Sequence, residues 1–196
     1  VETRKSEVRA KILILILHET MNDDPDESFV IDTLLRHRPE ALRVAPIRGA
    51  VQRYAPGDDG AMVGPSEVVT VDTMVQGIHF DADQTPEDVG FKLVAVNASD
   101  IAAMGGKPTW AVLSLSLPAP LDRDWVTRFS RGLGEALDLW SIHLVGGDTT
   151  GSPGPITASM TLAGHTTMPV GRGGAEPGDV LFVTGALGDA AAGFLH

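Results

Sequence analysis

The chain predicts an α+β fold built on a mixed β-sheet flanked by helices, and three patterns carry that expectation. Short β-branched or alternating runs at 68–72, 110–117, 142–145 and 156–162 are interleaved with two long stretches of helical periodicity, at 85–104 and 125–140. With 196 residues, 43% hydrophobic and 21% charged, the chain can bury one good core and the beginning of another. A Gly- and Pro-rich stretch, 168–178, then precedes one more strand and a helix start, which read as the first elements of a truncated C-terminal α/β domain. The expected organisation is a disordered N-terminal extension over 1–27, a main domain over 28–167, and a linker with the start of the second domain over 168–196.

At the N-terminus, Arg4, Lys5, Arg9 and Lys11 precede the apolar run Ile12 to Leu17. A signal core needs roughly 7–15 apolar residues and a membrane span about 20, so this run makes neither. From Ser28, the spacing of Phe29, Ile31, Leu34 and Leu35 predicts a short amphipathic helix that Pro39 ends, and 49–60 reads as a loop feeding Gly57-Asp58-Asp59. Val68 to Asp72 is β-branched, which predicts a buried strand with Asp72 at its carboxyl end. Thr85-Pro86-Glu87-Asp88 combines an N-cap threonine, a proline at the first helical position and an acid three residues after the cap, so a helix begins there. It runs to Met104, where Gly105-Gly106 and Pro108 stop it, with Gly90 as a weak point costing about 1 kcal/mol relative to alanine. Apolar residues surround that helix except at Asn97 and Asp100, which share one face. Trp110 to Leu117 alternates as a strand, and Trp125, Phe129, Leu133, Leu137 and Trp140 recur as a helix. Then come a strand from Ile142 to Val145, a Gly146-Gly147-Asp148-Thr149-Thr150 loop and a strand from Ile156 to Leu162. After the Gly/Pro stretch follow a strand from Asp179 to Thr184 and a helix start from Gly185 to Gly193.

The chemistry lies in acids set beside apolar runs: Asp59, Asp72, Asp100 and Asp148. A carboxylate next to a buried element is costly unless paired, hydrogen-bonded or bound to a cation. Two carboxylates about 4 Å apart repel by roughly 4 kcal/mol at an effective dielectric of 20, and a hard divalent cation such as Mg²⁺ removes that cost. Each acid taken singly also reads as a turn or cap residue; Asp100 does so least, because mid-helix it has no orphan amide to cap. Asp58 reads as a loop or capping residue and Asp189 as a helix cap. Gly147, before Asp148, suits either an ordinary turn or close approach of a phosphate, Arg172 either phosphate binding or solvent, and His79 either a substrate contact or a loop position. A net charge of −11 argues against a nucleic-acid partner and is compatible with Mg²⁺ or a metal-bound phosphate ester. Without cysteine there is no disulfide, thiolate metal site or thiol nucleophile, and no P-loop, Gly-x-Ser-x-Gly elbow or His-Glu-x-x-His helix occurs.

In order, Gly57-Asp58-Asp59-Gly60-Ala61, Val71-Asp72-Thr73 through Gly77-Ile78-His79-Phe80, Lys92 through Gly105 with its Asn97-Ala98-Ser99-Asp100, and Gly146 to Thr150 closely resemble the thiamine-monophosphate kinase family. The likeness continues through Arg172 to Gly185-Ala186-Leu187-Gly188-Asp189, over about residues 28–196. The family belongs to the aminoimidazole ribonucleotide synthase superfamily, whose members pair an ATP-binding N-terminal domain with a C-terminal domain. The resemblance implies ATP-dependent phosphorylation of thiamine monophosphate to thiamine diphosphate with several Mg²⁺ ions, in a cytoplasmic homodimer joined through the N-terminal domain. It implies metal ligation by Asp59, Thr70, Val71, Asp72, Asp100 and Asp148, ATP contacts from Gly147, Asp148 and Arg172, and a thiamine-phosphate contact from His79. It departs from the family at Val71, where Ser or Thr is common and only a backbone carbonyl is available here, and at Gly151, where arginine is common. Two alternatives stand beside it: another ATPase of the superfamily, of the selenophosphate synthetase or hydrogenase-maturation type, and a non-catalytic nucleotide-binding dimerisation module.

Overall fold

The structure is a computed structural model that describes residues 27–36, 58–173, 175–183 and 185–194. The expected extension over 1–27, apart from Glu27, and most of the 49–60 loop lie outside the described residues. The chain divides into two compact units, 1–46 and 47–196. In the first, helix α1 spans Glu27–Arg36, matching the short helix expected from Ser28.

The second unit holds a five-stranded mixed sheet. Its strands are β1 (Ala61–Met62), β2 (Glu67–Val75), β3 (Lys107–Pro118), β4 (His143–Ser152) and β5 (Thr157–His165), in the order β1-β2-β5-β3-β4. All neighbours are antiparallel except β3 and β4, which run parallel because α3 carries the chain back between them. Helices α2 (Pro86–Ala103) and α3 (Arg123–Leu139) lie between β2 and β3 and between β3 and β4 in the chain, and α4 spans Asp189–Phe194.

The cap on α2 forms as its sequence dictates: Asp88 N donates to Thr85 Oγ1 at 3.2 Å and Pro86 takes the first turn. At its other end Gly105 adopts φ +69° and Gly106 N donates to Ile101 O at 2.8 Å, closing the orphan carbonyls. Asp122 caps α3 by accepting from Trp125 N at 3.0 Å. The core forms where α2 meets the sheet, with Val68, Leu93, Val94, Ile101, Met160 and Leu162 at 0% exposure, and Phe129 and Leu133 of α3 close it from outside. Gly90 is more than a weak point: a Cβ there would stand 2.2 Å from Phe129 O, and one at Gly132 would stand 1.8 Å from Glu87 O. The two glycines let the α2 and α3 backbones touch.

Four expectations are corrected. Asp72 lies within β2 rather than at its end, since pairing with β5 continues to Val75↔Thr157. Gly146 to Thr150 is strand rather than loop, because β4 stays in parallel register with β3 to Pro118↔Ser152. β1 was not expected at all; its two residues carry too little pattern to register. No strand forms over 179–183, where Leu181 is 97% and Phe182 91% exposed. A strand needs a paired neighbour, and among the described residues none lies beside this segment.

Candidate functional site

On the helix-covered side of the sheet, three elements meet. β1 pairs only with Val68 and Val69, so beyond them β2 has no described strand on that side. There Thr70 Oγ1 lies 3.0 Å from the Asp59 carbonyl and 2.8 Å from Asp100 Oδ2 of α2. One hydroxyl proton serves only one of these acceptors at a time. Burial pushes the Asp100 carboxyl above its ordinary value; Thr70 opposes that shift, the nearby charges of Asp72 and Asp59 add to it, and Arg172 subtracts from it. Asp59 and Asp72 therefore both act on the Asp100 carboxyl.

Asn97, fully buried one turn before Asp100, holds this arrangement from beneath. Its Nδ2 donates to Leu93 O at 2.8 Å, and its Oδ1 accepts from Asp72 N at 3.1 Å. Sequence reading marked Asn97 as a polar break in a dry helix without giving it a partner. A buried amide on the same helical face as Asp100 was the available signal.

Arg172 reaches the site because its loop is tied to the end of α2. Thr166 Oγ1 donates to Gly105 O at 2.9 Å and Val170 N to Met104 O at 3.2 Å. Arg172 N then donates to Asp58 Oδ1 at 2.7 Å, and its guanidinium bonds Asp59 Oδ1. Asp58, expected as a loop or capping residue, anchors this loop.

A cavity of about 390 Å³ opens beside Asp72 and is also lined by Ile78, His79, Lys92 and Val96. His79 sits on a turn in which Val75 N donates to His79 Nδ1 at 3.1 Å and Lys92 Nζ donates to His79 O at 2.6 Å. Lys92 opens the motif that runs to Gly105, and nothing in its sequence neighbours marks a role for it.

Asp148 stands apart from the other acids. Thr73, Ser159, Ser114 and Asp148 occupy one row across β2, β5, β3 and β4, and the Thr73 and Ser159 hydroxyls meet at 2.8 Å. The adjacent row runs Asp72, Met160, Leu113, Gly147, with Met160 buried under α2. Side chains of neighbouring residues alternate between faces, so Asp72 points to the helix side and Asp148 to the other. Gly147 lies three strands from Asp72, roughly 14 Å at ordinary strand spacing. A Cβ on Gly147 would stand 2.0 Å from Leu113 O, so this glycine serves the close approach of β4 to β3. The Val71 side chain, 60% exposed, also points away from the helices.

Among the described residues, no three His, Asp or Glu side chains are grouped closely enough to hold a metal ion unaided. The donor chemistry still suits Mg²⁺, which takes one or two carboxylates and fills its shell with water and phosphate oxygens rather than needing an all-protein cage. Burial raises the Asp100 carboxyl, and Arg172 compensates Asp59.

The family model "AIR synthase related protein, N-terminal domain" matches residues 57–166. Thiamine-monophosphate kinase of Escherichia coli K12 is 44% identical over 145 residues, covering 70% of this chain and 43% of the relative. That of Aquifex aeolicus is 40% identical over 150 residues, covering 75% and 49%. The solved structure "AaThiL complexed with AMPPCP and TMP" superposes with a TM-score of 0.73 at 37% identity, over 86% of this chain and 51% of that one. The chain thus spans about half the length of the relatives it matches. The mixed sheet backed by two helices is the fold of that solved structure's matching half. With more than half its length matched, this chain belongs to the AIR synthase related family and carries that family's N-terminal domain.

Proposed function

We propose that the protein to which this chain belongs is a thiamine-monophosphate kinase, transferring the γ-phosphoryl group of ATP to thiamine monophosphate to give thiamine diphosphate and ADP. The observation that carries this reading is the meeting of Asp59, Asp72 and Asp100 beside Arg172, with Asp72 also lining the cavity that holds His79. The relatives carrying that name, and the similar structure complexed with AMPPCP and TMP, support it.

The nucleophile is a phosphate oxygen already ionised at neutral pH, so no general base is needed, and positioning with charge neutralisation dominates. Mg²⁺ would be held by carboxylate oxygens of Asp59, Asp72 and Asp100, with Thr70 and the Val71 carbonyl as further donors, and would supply positive charge for the phosphate oxygens; Asp148, on the opposite face of the sheet, would serve a separate cation. Arg172, held beside Asp59, would offer its guanidinium to the nucleotide phosphates. Gly147, by letting β4 approach β3 closely, would set the strand that carries Asp148 beside the nucleotide. Asn97 fixes the Asp72 backbone, and His79 faces the acceptor.

Homodimerisation belongs to the proposal. Both long helices lie on one face of the sheet, and the opposite face presents exposed Val71, Thr73 and Ser114 to a second copy. The compartment proposed is the cytoplasm, where ATP is made and held; no described helix is long and apolar enough to cross a membrane. Product analysis tests the reading: the full-length protein with ATP, Mg²⁺ and thiamine monophosphate should yield thiamine diphosphate and ADP in equal amounts. ADP without thiamine diphosphate sinks the kinase and points to another ATPase of the family.

A further inference from the structure

We propose that Lys92 is a second anion-binding residue of the cavity beside Asp72, and that it acts with His79 to select a phosphorylated acceptor over its unphosphorylated alcohol. The proposal rests on the functional reading above and deepens it.

Three observations carry it. The first is the tautomer of His79. Val75 N donates to His79 Nδ1 at 3.1 Å, and a backbone amide can only donate, so Nδ1 is the acceptor and the ring proton sits on Nε2. His79 therefore offers the cavity an N–H donor, which suits an acceptor such as a phosphate oxygen.

The second is the placement of Lys92. Its ammonium donates to His79 O at 2.6 Å, which steers the side chain toward the turn that carries His79. Asp88, the usual partner four residues back on a helix, is engaged with Thr85 Oγ1 at 2.6 Å. Among the described residues Lys92 has no carboxylate within ion-pair distance. One ammonium proton is used and two remain. In a chain of net charge −11, this cation beside a cavity forms no ion pair among the described residues.

The third is the cavity itself. Asp72 lines it too, so an anion entering alone meets a repelling carboxylate. Two donors that line the same cavity, one cationic, offset that repulsion for a phosphate bound there. Thiamine, a thiazolium cation without the phosphate, gains nothing from Lys92.

The test uses the full-length protein, with Lys92→Met to remove the charge and Lys92→Arg to keep it. Calorimetric titration gives the Kd of thiamine monophosphate and of thiamine for each form. A charge-assisted contact is worth about a 10-fold to 100-fold change in affinity. Lys92→Met should weaken thiamine monophosphate by that factor and leave thiamine within about twofold, while Lys92→Arg restores most of the loss. Unchanged thiamine monophosphate affinity in Lys92→Met, or an equal fall for both ligands, overturns the assignment and leaves Lys92 a mere pin for the turn. A wild-type protein that binds no thiamine monophosphate overturns the substrate reading itself, and this proposal with it.

Discussion

Replacing Gly132 with alanine should destabilise this fold, while the same change at Gly134, two residues along α3, should stabilise it. A Cβ at Gly132 would stand 1.8 Å from Glu87 O and 2.7 Å from Glu87 Cα. Both are backbone atoms, which cannot rotate aside as a flexible side chain can. Relief to an ordinary contact of about 3.5 Å requires α2 and α3 to separate by roughly 1.5 Å, which loosens Phe129 and Leu133 against the core. Overpacking of this kind costs about 1–3 kcal/mol, and a backbone obstacle belongs at the upper end. Against it, alanine in a helix returns about 1 kcal/mol over glycine. The net expectation is a loss of about 2 kcal/mol. At Gly134 a Cβ meets nothing within 4 Å, so only the propensity gain of about 0.5–1 kcal/mol remains. Urea unfolding followed by far-ultraviolet circular dichroism reads both midpoints. Equal shifts of the same sign in the two variants would refute the claim that Gly132 marks backbone contact between the helices. Because α2 carries Lys92, Asn97 and Asp100, a displaced helix should also weaken the site.

Three other outcomes follow from the same geometry. Asn97→Ala strands the Asp72 amide under α2, so urea unfolding should show a loss of about 1–3 kcal/mol, and a change below about 0.5 kcal/mol contradicts that hydrogen bond. The raised Asp100 carboxyl makes the folded chain hold its proton more tightly than the unfolded chain does. The stability this proton confers is full below the ordinary aspartate value of 3.8 and is lost as pH rises through the raised folded value. In metal-free buffer Asp100→Asn should therefore gain stability relative to wild type as pH climbs through that window, and a relative loss contradicts the burial argument. In the full-length protein Asp72→Asn and Asp148→Asn should each abolish thiamine diphosphate formation with little change in unfolding midpoint, and near-normal turnover removes the residue from the proposed metal ligands.

Most of the helical architecture was legible because its signals are local. Thr85-Pro86 and Gly105 mark the ends of α2, and Trp125 to Leu137 repeats along one face of α3. The glycines misled because sequence does not distinguish one that turns the chain from one that lets two backbones touch. Gly147 suggested a turn, yet it sits in parallel register against Leu113. The acids were individually visible, but their grouping depends on strand order and face. Asp59, Asp72 and Asp100 converge because β2 lies beside β1 and beneath α2, whereas Asp148 falls on the far face of β4. Asn97 and Lys92 acquired roles only through partners 25 and 13 residues away.

The central claim is that the acidic cluster holds nucleotide phosphates through a cation, and titrating a non-hydrolysable ATP analogue into the full-length protein tests it most directly. Tight binding in the presence of Mg²⁺, its loss with chelator, and its loss in Asp72→Asn are the results expected. Binding of equal strength without Mg²⁺, or binding indifferent to Asp72→Asn, would contradict it.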